Sequence, residues 1–159
     1  MPGYTRIYFF LIMAAALIPA SSDARTSLSP PMSGPPPLID GILDDGIWTS
    51  ALSLKDFKTC MPDYGLDMSE DTEVLIAYDS ENLYFAFRCY DSDPARIKTS
   101  VTRRDNMIND DWVSISLDSF DDRQTLYRFY VNPEGIQMDA RATGTDEDFS
   151  IDFVWYSEG

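Results

Sequence analysis

Four residues in the second half of the chain combine flat aromatic surface with hydroxyl and guanidinium groups at strand-like spacing: Trp112, Ser114, Arg128 and Tyr130. Side chains alternate across a strand, so Trp112 shares a face with Ser114, Ser116 and Asp118 and lies opposite Val113, Ile115 and Leu117. By the same parity Arg128, Tyr130 and Asn132 point away from Tyr127, Phe129 and Val131. If the two strands pair, the four residues form one polar-aromatic patch. An aromatic ring fits the apolar face of a pyranose, and the polar groups fit its hydroxyls. In a saccharide site Trp112 and Tyr130 would stack and Arg128 and Ser114 would hydrogen-bond. The competing expectation is that another part of the chain covers this face and makes it an interface.

The chain has no histidine. That excludes Ser-His-Asp and Cys-His catalysis, histidine zinc sites and histidine-ligated haem. Carboxylate chemistry remains, and a pair of carboxylates suffices for glycoside hydrolysis, but no pair in the sequence is marked as buried. The expectation is a non-catalytic chain, with hydrolysis of glycosidic bonds as the alternative. Acidic runs occur at Asp105 to Asp111, at Asp118 to Asp122 and at Asp146-Glu147-Asp148. Oxygen-rich loops of this kind hold calcium in some proteins. None here fits the D-x-D-x-D-G loop, so solvated turns are expected, with a structural calcium left open. The net charge of −15 repels phosphate backbones and anionic lipid surfaces, so no nucleic-acid partner is expected.

The N-terminus sets the compartment. Arg6 precedes a continuous apolar run from Ile7 to Ile18, and small residues follow through Ala24. This is the layout of a secretory signal peptide over residues 1–24, too short for the ~20 residues of a membrane span. An exported chain is permitted disulfides, so Cys60 and Cys89 leave two readings open: a bridge, or a buried thiol at Cys89 on the apolar side of its strand.

Five of the ten prolines fall between Pro30 and Pro37, which marks residues 25–37 as an extended linker. From Leu38 onward the apolar pattern has period two. It gives strands over Glu73 to Asp79, Leu83 to Cys89, Val113 to Leu117, Thr125 to Asn132, Ile136 to Arg141 and Phe149 to Tyr156. Asn132-Pro133-Glu134-Gly135 supplies a hairpin turn. Helix is confined to short turns within Leu43 to Ala51, where Trp48 is expected to pack into the core, and around Pro94 to Lys98. The expected class is all-β, an antiparallel β-sandwich of immunoglobulin-like or jelly-roll-like form over residues 38–159. Its last aromatic strand lacks a following partner, so the domain is expected to continue past Gly159.

Several segments resemble the domains related to carbohydrate-binding module family 9, also described as DOMON-like. These are Leu38-Ile39-Asp40-Gly41-Ile42-Leu43-Asp44-Asp45-Gly46-Ile47-Trp48, Asn82-Leu83-Tyr84-Phe85-Ala86-Phe87, Asp91-Ser92-Asp93-Pro94, Asp111-Trp112-Val113-Ser114-Ile115-Ser116-Leu117-Asp118 and Phe129-Tyr130-Val131-Asn132-Pro133-Glu134-Gly135. They occur in the family's order. The resemblance implies saccharide binding associated with carbohydrate breakdown. It also implies a periplasmic or outer-membrane setting, in which the domain follows a signal peptide and contacts a C-terminal outer-membrane barrel of the same chain. The chain departs from the sugar-binding members at three places. Near Ile108 those members carry a stacking tryptophan, at the place of Ser114 a carboxylate, and at the place of Tyr130 an arginine.

Overall fold

The computed structural model describes residues 28–32 and 34–159. The signal-peptide reading of residues 1–24 lies outside them. Among the described residues seven strands form two antiparallel sheets with little helix, an all-β sandwich-like fold. Among the described residues no helix is long and apolar enough to cross a membrane.

The first sheet runs in the order β1 (Leu52–Leu54), β2 (Thr72–Tyr78), β3 (Leu83–Cys89). Its central register places Leu75 opposite Ala86 and Ala77 opposite Tyr84. These four residues pack with Ile47 and Trp48 of a short helix, α1 (Gly46–Ser50). Trp48 is thus a core residue, 8% exposed. Strand alternation places Leu83, Phe85, Phe87 and Cys89 on one side of β3 and Tyr84, Ala86 and Arg88 on the other. Both faces carry apolar residues, and α1 covers the Tyr84–Ala86 face. The loop from Asp79 to Asn82 is tied by the Asp79 carboxylate, which accepts from the N–H groups of Glu81 (2.7 Å) and Asn82 (2.8 Å) and from the Tyr84 hydroxyl (2.6 Å).

At the opposite margin of β2, Pro31 and Met32 of the proline-rich segment lie against the sheet. Met32 forms a parallel bridge to Tyr78, and the Pro31 carbonyl accepts from the Tyr78 N–H. That part of the expected linker is docked.

The second sheet is a four-stranded meander, β4 (Val113–Leu117), β5 (Thr125–Val131), β6 (Gln137–Thr143), β7 (Asp146–Asp148). The β5–β6 hairpin closes at Asn132 to Gly135 as the turn residues require. The Gly135 N–H donates to the Asn132 carbonyl at 3.0 Å, and Gly135 takes φ +75°. A Cβ there would stand 3.2 Å from the Glu158 Cα, so the turn also needs glycine for the close approach of the C-terminal segment.

Besides β1, which the apolar pattern does not mark, two elements depart from the sequence expectation. β7 is a strand where an acidic turn was read, and Phe149 to Tyr156 forms no ladder. Pairing ends at Asp148, whose carboxylate accepts from both the N–H and the hydroxyl of Ser150. That local turn leads the chain off the sheet edge and back over the face carrying Tyr127 and Phe129. Phe153 then packs edge-on against Tyr127 at 5.4 Å, and Trp155 against Phe129 at 5.4 Å. The aromatic alternation in this segment serves to cover a sheet face, which an unpaired extended chain does as well as a strand.

Asp139, fully buried on the same face of β6, anchors this segment. Its carboxylate accepts from the Arg104 guanidinium at 2.5 Å and from the Phe153 N–H at 2.6 Å.

Candidate functional site

β4 and β5 pair, with Ser114 opposite Tyr130 and Ser116 opposite Arg128. Trp112, one residue before β4, meets the Tyr130 ring edge to face, with centroids 5.0 Å apart and planes at 84°. The four residues singled out from the sequence therefore share one face of one sheet.

The structure assigns them different environments. Tyr130 is only 2% exposed and packs with Met107, Met138 and Ala140, against which Trp112 and Ile136 also rest. The expectation that Tyr130 stacks on a ligand is corrected: Met107, from the long loop before β4, covers its ring. Burial raises the Tyr130 phenol above its ordinary value, and the nearby Arg128 guanidinium partly offsets that rise. Its role in the geometry is to hold Trp112, which is half-buried, as is Ser114.

Arg128 is mostly covered, its side chain 12% exposed, and it is ion-paired with Glu147 of β7. The Tyr130 hydroxyl lies 3.5 Å from the same Glu147 carboxylate. Glu147 was missed in the sequence because it sits inside an acidic run. The signal that identifies it is its partner across the ladder, Ala142, with Ala140 opposite Arg128. Two alanines leave room for a long carboxylate and a long guanidinium to meet above β6. The face thus presents a half-buried indole, two serine hydroxyls and a guanidinium–carboxylate pair.

The acidic loops are occupied in holding backbone. Asp118 accepts from the N–H groups of Asp122 and Arg123, and Asp122 from those of Gln124 and Thr125. These bonds keep the Asp122 carboxyl below its ordinary range. Asp110 accepts from the Ser100 hydroxyl and from the Asn132 amide. Among the described residues no group of three or more His, Cys, Asp or Glu side chains is placed to hold a metal ion. Cys60 is half-buried and Cys89 buried, and no disulfide joins them in the structure.

Fold and site together define a two-sheet antiparallel β domain with a polar-aromatic face on its second sheet. Comparison with protein-family models, with characterised proteins and with solved structures gives no match for the chain.

Proposed function

We propose that this chain is a non-catalytic saccharide-binding domain of an exported protein, and that the face carrying Trp112 is its binding surface. The observation that carries the reading is the half-buried Trp112, braced at right angles by a buried tyrosine and flanked by Ser114 and the Arg128–Glu147 pair. A braced indole offers stacking area at little cost in side-chain entropy, and the pair supplies donors and acceptors for vicinal hydroxyls. Ser114 and Arg128 keep the hydrogen-bonding role read from the sequence, Glu147 joins them, and Tyr130 becomes the brace. The resemblance to carbohydrate-binding module family 9 supports the same ligand class and a periplasmic or outer-membrane setting.

The test is retention on polysaccharide affinity gels and a glycan array, with and without calcium, comparing wild type with Trp112→Ala. Loss of the platform is expected to weaken retention at least tenfold, about 1.4 kcal/mol, while far-UV circular dichroism stays unchanged. Absence of retention by the wild-type protein on every glycan overturns the proposal and leaves the face as a protein interface.

A further inference from the structure

A cavity of about 470 Å³ lies between the two sheets, within the size range of ligand sites, and of the residues assigned to the saccharide face only Ser114 adjoins it. Its walls include Phe85 and Phe87 of β3, Val113 and Ile115 of β4, and Phe129 and Val131 of β5. The charged residues on its walls are Asp40, Glu81 and Glu158, with no lysine or arginine among them. The site is apolar within and acidic at its margin.

β3 and β4, which both line this cavity, are the end strands of their sheets. The phase of the β2–β3 ladder is fixed at both ends, where Asp79 donates to the Asn82 carbonyl and Tyr90 to the Asp71 carbonyl. In an antiparallel ladder alternate residues bond the same neighbour. Tyr84, Ala86 and Arg88 therefore turn their backbone groups toward β2, and Leu83, Phe85 and Phe87 turn theirs outward. Among the described residues no strand pairs with that edge. β3 has no proline and no bulge over its seven registered residues, and its one charged residue, Arg88, is paired with Glu73 of β2.

We propose that the β3 edge accepts an added strand from a partner polypeptide, an extended segment apolar at alternate positions and flanked by basic residues. Strand addition pairs the outward backbone groups of Leu83, Phe85 and Phe87, and the inward side chains of the new strand lie over the cavity beside Phe85 and Phe87. A small apolar molecule fills space but leaves the edge unpaired. A second copy brings another −15 of charge toward an acidic margin, whereas basic flanks meet Asp40, Glu81 and Glu158.

The probe is a short fluorescent peptide alternating valine and threonine between lysine flanks. Two controls accompany it, one N-methylated along a single backbone edge and one with glutamate flanks. Binding is read by anisotropy, and amide exchange of Leu83, Phe85 and Phe87 by NMR. The lysine-flanked peptide is expected to bind and to slow exchange at these amides. N-methylation on the pairing edge and glutamate flanks are each expected to weaken binding at least about tenfold. Glu81→Lys, a surface change, is expected to weaken it several-fold. No binding of the lysine-flanked peptide overturns the proposal, as does equal binding of the N-methylated or glutamate-flanked form. So does protection of these amides that arises with protein concentration alone and a doubled mass, which would make the occupant a second copy.

Discussion

Replacing Asp139 tests whether the C-terminal segment is held by one buried carboxylate. Asp139 has no exposed surface, and its two bonds join Arg104 from the loop before β4 to the backbone of Phe153. Breaking a buried ion pair typically costs about 3–5 kcal/mol. The cost to Arg104 is smaller here. Its side chain is 32% exposed, its guanidinium also donates to Gln137, and Asp152 lies 3.4 Å away as a substitute partner. A lost ion pair of about 2 kcal/mol after that discount, plus about 1–2 kcal/mol for an orphaned Phe153 N–H, puts Asp139→Ala at about 3–4 kcal/mol. Asp139→Asn retains an acceptor for Phe153 and is expected to cost about 2 kcal/mol. The assay is urea denaturation at constant m, together with the fluorescence of Trp155, which packs on Phe129 in the same segment. Arg104→Met combined with Asp139→Ala is expected to fall at least about 1 kcal/mol short of the sum of the single changes. A loss below about 1 kcal/mol for Asp139→Ala, or strict additivity with Arg104→Met, refutes the anchoring argument.

Glu73 accepts from Ser53 at 2.7 Å and pairs with Lys55 and Arg88, each at 3.2 Å, so its folded pKa lies below the ordinary glutamate value, the Ser53 bond being the largest cause. Its stabilising contribution is full above the unfolded pKa of about 4.3 and fades as pH falls through the lower folded value. The stability gap between wild type and Glu73→Gln, from denaturation curves at several pH values, is therefore expected to be constant above about pH 5 and to shrink below pH 4. Gly135→Ala places a Cβ 3.2 Å from the Glu158 backbone at a positive φ, and is expected to cost about 1–2 kcal/mol in thermal or chemical melts. In native protein a thiol reagent is expected to modify half-buried Cys60 quickly and buried Cys89 slowly, with both reacting at once in denaturant; a thiol count of zero in denatured, unreduced protein would show that the two are bridged.

The strands legible in the sequence were those with clean period-two alternation. β2 to β6 fall within two residues of the segments read from the apolar pattern, because one unbroken alternation serves both as a face and as a boundary. The meeting of Trp112, Ser114, Arg128 and Tyr130 followed from the same parity. What the sequence hid is set by tertiary contact. β1 and β7 have three residues each and no room for a pattern. Met107 lies in an irregular loop, and nothing local signals that it covers Tyr130. Phe149 to Tyr156 alternates like a strand because it packs like one, on a face and without a ladder.

The side chain of Asn132 has all four of its hydrogen-bonding sites in use. Its oxygen accepts from Glu134 (3.0 Å) and Ile136 (2.8 Å), and its nitrogen donates to the Ser100 carbonyl (3.0 Å) and to Asp110 (2.8 Å). One amide thereby closes the β5–β6 turn and binds it to a loop thirty-two residues earlier. Conversion to aspartate would keep the turn bonds and set two carboxylates against each other at Asp110. Spontaneous deamidation of asparagine closes a ring through the N–H of the next residue, and the next residue here is Pro133, which has none. The site whose chemical ageing would part the turn from the loop is thus shielded from that ageing by its own neighbour.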